Sequence, residues 1–115
     1  MQESKSGTIT EAALNSALDR LWIKFLPQIT ERIAILESAA DALASGRLAS
    51  DLRNEATAAA HKLAGVLGSF GLGQGTTFAR EAETFYSSAL EPDPSYSGRL
   101  KFLAAQMRAT VESRK

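Results

Sequence analysis

Apolar side chains recur every three or four residues along almost the whole chain, and no stretch sustains apolar–polar alternation. That pattern suits amphipathic helices and excludes a sheet as the organising element. Leu14, Leu18, Leu21 and Phe25 form a first stripe, and Ile29, Ile33, Leu36, Ala40 and Leu43 a second. Leu52, Ala56, Ala59, Leu63, Val66 and Phe70 form a third; Phe78, Ala82, Phe85 and Ala89 a fourth; Leu100, Leu103, Met107 and Val111 a fifth.

The punctuation between stripes is equally plain. Thr8 and Glu11 have the spacing of a capping box at a helix start. Pro27 breaks or kinks the first segment, or opens the next from its first position. Gly46 is placed to end the helix from about Pro27 to Ala44, and Ser50 to cap one that runs to Phe70. Gly71-Leu72-Gly73-Gln74-Gly75 is a glycine-rich break. No strand pattern precedes it and no Gly-Lys-Ser/Thr follows, so it reads as an interhelical turn and not a phosphate-cradling loop. A fourth helix is predicted from about Gln74 to Ala89, a turn at Glu91–Ser95, and a last helix from about Ser97 to Glu112. Helices joined this closely pack most simply as an all-α up-down bundle. At 115 residues the expectation is one domain over residues 9–113, preceded by a polar flexible tail at 1–8.

Charge and composition narrow the function classes. Thirteen Lys and Arg balance 13 Asp and Glu, which disfavours nucleic acid and a polybasic membrane contact. With no cysteine and one histidine, thiol chemistry is excluded and a zinc site is disfavoured. No apolar run is long enough to cross a bilayer and no hydrophobic leader opens the chain, so a cytoplasmic monomer is expected.

The histidine, His61, sits in the middle of the third predicted helix. Leu63 lies about 200° from it around the axis, so a buried Leu63 turns His61 outward. Its neighbours on that face include Asn54, Thr57, Ala58, Ala64, Gly65 and Gly68, all of modest size. Interior glycines cost about 1 kcal/mol each relative to alanine, so Gly65 and Gly68 need a reason. Either they keep the face open for another protein, or they let a neighbouring helix pack tightly. An exposed imidazole is a competent nucleophile at neutral pH. Glu81 and Glu83 read as solvated charges on a helix face. Trp22 and Phe25 suit core packing ahead of partner contact, and Ser69 suits either a helix end or a contact.

The run Ala60-His61-Lys62-Leu63-Ala64-Gly65-Val66-Leu67-Gly68-Ser69-Phe70-Gly71-Leu72 resembles the signature of histidine phosphotransfer (HPt) domains, and Phe78-Ala79-Arg80-Glu81-Ala82-Glu83 resembles the family's next helix. The resemblance implies an antiparallel four-helix bundle with an additional N-terminal helix. It implies that His61 is the phosphoacceptor, at Nε2, and that Gly65 and Gly68 keep the docking face open; Thr57, Ala58 and Ala64 are expected on the same docking face by helical spacing. The implied partners are receiver domains of response regulators or hybrid kinases, with a histidine kinase as a further candidate. The chain would hold no cofactor of its own, and the receiver would bring Mg²⁺. It would be a phosphocarrier in a two-component phosphorelay and not an enzyme with turnover. Many members carry a lysine three residues after the histidine. Here that position is Ala64, which leaves Lys62, about 100° around the helix, as the expected phosphate-assisting cation. Two alternatives stand beside this reading: a degenerate HPt-like module that docks receivers without phosphotransfer, and a helical scaffold.

Overall fold

Thr10 caps the first helix, its hydroxyl accepting a hydrogen bond from the Ala13 amide at 3.0 Å. The computed structural model describes residues 10–114, so the Thr8 cap and the expected tail at 1–8 lie outside the described residues. From Thr10 the chain runs as one unbroken helix, α1 (Glu11–Ala44), of 34 residues and about 50 Å. Among the described residues three more α-helices follow: α2 (Ser50–Ser69), α3 (Gly73–Tyr86) and α4 (Ser97–Ser113). A short 3₁₀ turn at Pro94–Tyr96 leads into α4.

Pro27 neither ends a helix nor begins one; it lies inside α1. The reason is packing. Proline costs a helix interior about 3 kcal/mol, but Trp22 lies before it and Ile29, Ile33 and Leu36 after it, all buried. Each such side chain returns about 1.5–3 kcal/mol when it leaves water. Pro27 and Ile23 are both exposed, so water can reach the Ile23 carbonyl that proline leaves without its helical partner. The additional N-terminal helix is therefore present as the first part of α1, fused to the bundle without a break. None of the residues from Glu11 to Leu21 is buried, and Leu14 and Leu21 are among the exposed apolar side chains.

The four helices close into a ring in which α1 touches α2 and α4, and α3 touches α2 and α4. With short connections between neighbours, that arrangement is the antiparallel up-down bundle. Its core gathers one face from each helix, including Ile29, Ile33, Leu63, Leu67, Leu103 and Met107. Several contributions are alanines, Ala56, Ala59, Ala60, Ala79 and Ala82 among them, which lets the axes approach closely.

The ends of α1 and α2 share one device. Gly46 has φ +69°, with hydrogen bonds from its own N–H to Leu43 and from the Arg47 N–H to Ala42. Gly71 has φ +77°, with the matching pair from Gly71 to Gly68 and from Leu72 to Leu67. Both are left-handed glycine stops that satisfy the last helical carbonyls. Ser50 is not a cap: Ala49 occupies that position and offers no side-chain bond. At one end of the bundle Trp22 meets Phe70 edge to face at 5.1 Å, and the Arg114 guanidinium lies over both rings. Phe25 joins them at the rim.

Ion pairs tie the helices laterally. Arg108 holds Glu37 through two 2.8 Å bonds, linking α4 to α1. Arg99 holds Glu81 through two 2.7 Å bonds, linking α4 to α3, and these bonds keep the Glu81 carboxyl below its ordinary value of 4.5.

Pro27→Ala restores the bond to the Ile23 carbonyl and should stabilise the fold by about 1–3 kcal/mol. Thermal unfolding followed by circular dichroism measures this, and an unchanged midpoint would show that the pyrrolidine ring itself supports packing. The lowered pKa of Glu81 means that its pairing stabilises the fold above the ordinary carboxyl range and fades as pH falls through the lowered value. Glu81→Gln should therefore lower the urea midpoint slightly at about pH 6, and the difference from wild type should shrink as pH falls through the lowered value.

Candidate functional site

α2 carries Leu63 and Leu67 into the core, both fully buried, and the helical period then turns His61 to the outside. Its side chain is 74% exposed. Across the groove, α3 presents Glu83. The Nδ1 atom of His61 lies 2.9 Å from Oε2 of Glu83. An ionised carboxylate only accepts, so Nδ1 carries the hydrogen and donates it. In the neutral ring the lone pair then sits on Nε2. The carboxylate thus fixes both the tautomer and the ring's orientation.

This pairing depends on how α2 and α3 are held. The Thr76 hydroxyl donates to the Ala64 carbonyl at 2.9 Å, and its oxygen stands 3.2 Å from where a Cβ on Gly68 would lie. A Cβ on Gly75 would meet Leu67 Cδ1 at 2.9 Å, so α3 begins in direct contact with α2. At the far end Arg53 of α2 reaches over the end of α3. Its Nε donates to the Tyr86 carbonyl at 2.8 Å, and its Nη2 to those of Ser88 and Leu90. A guanidinium at a helix C-terminus both satisfies orphan carbonyls and complements the helix dipole. Nearby, burial pushes the Tyr86 phenol up from its ordinary value.

The two glycines therefore have different reasons. A Cβ at Gly65 would meet nothing within 4 Å, so packing inside this chain does not require glycine there. Gly68 does accommodate its neighbour, Thr76. Ala64 is only 6% exposed and adds little to an outer face.

The structure separates the other residues singled out in the sequence. His61, Ala64 and Gly65 share a shallow groove with Arg80, Glu83 and Thr84 of α3. Thr57 lines a different depression, with Arg53 and Tyr86, and its hydroxyl donates to the Arg53 carbonyl at 3.0 Å. Ala58 and Lys62 lie on the opposite flank of α2, in the groove shared with Arg32 and Ile35 of α1. Ser69 donates to the Gly65 carbonyl at 3.1 Å and so closes its own helix end. Glu81 is occupied by Arg99.

In the sequence alone Glu83 reads as one solvated charge among several, and Arg80 only as part of the helix after the turn. A usable signal was there. In an antiparallel helical hairpin, positions equidistant from the turn face one another. Gly68 with Thr76 and His61 with Glu83 are both centred on Leu72, in the predicted glycine-rich turn.

Gly65 and Gly68 should respond differently to alanine. Gly65→Ala enters open space and should stabilise by up to about 1 kcal/mol through helix propensity. Gly68→Ala must displace Thr76 and should gain less or lose stability. Parallel urea titrations separate the two, and equal shifts would argue against this division.

Comparison with known proteins places this geometry in a family. The Hpt domain model matches residues 20–111. Protein RcaC of Microchaete diplosiphon is 27% identical over 95 residues, which is 83% of this chain and 15% of that protein. The chain thus spans a small part of that relative's length. No solved structure matches. The family match covers most of the chain, including the hairpin that sets His61 against Glu83, and the chain belongs to the Hpt domain family.

Proposed function

We propose that His61 accepts a phosphoryl group at Nε2 from an aspartyl phosphate of a receiver domain and returns it to an aspartate of another receiver. Membership of the Hpt family indicates histidine phosphotransfer in phosphorelays, with receiver domains and kinases as the class of partner. The observation that carries the assignment to His61 is the 2.9 Å contact between Nδ1 and Glu83 on a ring that is 74% exposed.

The step balances without a base. The Nε2 lone pair attacks phosphorus in line with the bond to the aspartate oxygen. The N–P bond forms as the P–O bond breaks, and the aspartate leaves as a carboxylate with the bonding pair. The ring becomes a phosphorylated imidazolium whose Nδ1–H still points at Glu83. The carboxylate is thus worth more as positive charge develops on the ring than before, which is the condition for lowering a barrier. The reverse reaction needs no new group. The remaining negative charge on the transferring phosphoryl would be met by the partner, through the Mg²⁺ that a receiver domain would hold. Gly65 leaves space beside the ring for the partner's backbone.

Receiver domains carrying labelled aspartyl phosphate provide the test. Label should reach wild type as an acid-labile, base-stable adduct and should not reach His61→Gln. Glu83→Ala should slow transfer on the order of tenfold, the worth of one hydrogen bond to a charged group, while Glu83→Gln, which still accepts from Nδ1, should lose less. Gly65→Arg should keep its helical circular dichroism and fail to transfer. Binding of receivers with no label on wild type would instead favour a docking module.

A further inference from the structure

A phosphoryl group on Nε2 brings close to two negative charges to an exposed surface. Its immediate neighbour, Glu83, is itself a carboxylate and is directed at Nδ1. The chain must therefore find positive charge within the groove or leave the phosphoryl to water.

Most of the cations around α2 and α3 are committed elsewhere. Arg99 is bound in a bidentate pair with Glu81, and Arg53 is spent on the carbonyls that end α3. Lys62 follows His61 in sequence but projects into the α1–α2 groove beside Arg32. Arg80 differs. It lines the same groove as His61, Gly65 and Glu83 and is exposed. Among the described residues it makes no ion pair. Its position on α3 is three residues before Glu83 and four before Thr84, so all three share one helical face. Glu81, the acidic residue next to it in sequence, is withheld by Arg99.

We infer that Arg80 is the cation that holds the phosphoryl oxygens on His61, reaching across the groove from α3. This rests on the phosphoacceptor reading of His61. A guanidinium suits the task because its planar fork donates two parallel N–H groups to two phosphoryl oxygens, and because it stays charged throughout the working pH range. Its long stem is anchored on a helix other than the histidine's, so the contact also braces α3 against α2 when the phosphoryl is present. Glu83 and Arg80 then divide the work on one face: the carboxylate holds the ring and the guanidinium holds what the ring carries.

The test uses the intact protein and phosphoramidate as a partner-free donor. The Nε2–P bond forms as the donor's P–N bond breaks and ammonia leaves. Wild type, Arg80→Ala, Arg80→Gln, Arg80→Lys and Lys62→Ala are phosphorylated, and the second ionisation of the phosphoryl group is followed by ³¹P NMR against pH. A guanidinium at the oxygens favours the dianion. Removing it in Arg80→Ala should raise the midpoint by about half a pH unit, the size an exposed ion pair supports. Arg80→Gln, which keeps most of the stem, should show the same rise. Arg80→Lys should recover part of it, and Lys62→Ala should match wild type. A midpoint unmoved in Arg80→Ala and Arg80→Gln, or one moved by Lys62→Ala instead, overturns the assignment while leaving His61 as the acceptor. Absence of a phosphohistidine signal on wild type removes the acceptor reading, and this inference with it.

Discussion

α2 and α3 meet over side chains that are nearly absent, and the functional geometry depends on that closeness. Gly75 leaves space for Leu67, Gly68 leaves space for Thr76, and the Thr76 hydroxyl bonds the α2 backbone. Arg53 then fixes the other end of the hairpin. Between these two fastenings the helices cannot slide past each other without breaking hydrogen bonds or creating overlaps. Glu83 lies opposite His61 because the pins on either side of them leave no other register. The contact is local, but its cause is distributed along the whole hairpin.

Helix–helix association elsewhere in the bundle relies on ordinary apolar burial, with ion pairs at the margins. Arg108–Glu37 and Arg99–Glu81 join α4 to each of its neighbours through bidentate bonds on partly exposed surface. Such pairs add orientation more than energy. The core supplies the driving force, and its alanines set the spacing. Large side chains at Ala56, Ala60 or Ala79, each fully buried, would push the axes apart and open the groove that holds the site.

Much of this was legible in the residues. The helical class follows from periodicity, and the outward turn of His61 from Leu63 two positions on. The left-handed stop at Gly46 follows from glycine chemistry. Pro27 was less legible because its local effect is unfavourable, while the burial of Trp22, Ile29 and Ile33 that outweighs it is tertiary. Ser50 looked like a cap, yet Ala49 holds that position, since the geometry of the preceding loop decides which residue stands there. Glu83 was hard to see for a different reason. One carboxylate among several on a polar helix face gains meaning only from what stands across the groove, and that requires the register of the hairpin. Lys62 shows the converse. Adjacent to His61 in sequence, it points to another flank, because one residue along a helix is a large rotation about its axis.

The openness of the His61 surface also bears on traffic. The ring is exposed in a shallow groove, and nothing within 4 Å fills the space where a Gly65 side chain would be. On the proposed reading, a phosphoryl group there is as reachable to a protein that takes it as to one that gives it. A site with no door has no ratchet. Net direction would then come from the relative abundance and phosphorylation state of the two kinds of partner, as in any reversible exchange governed by mass action.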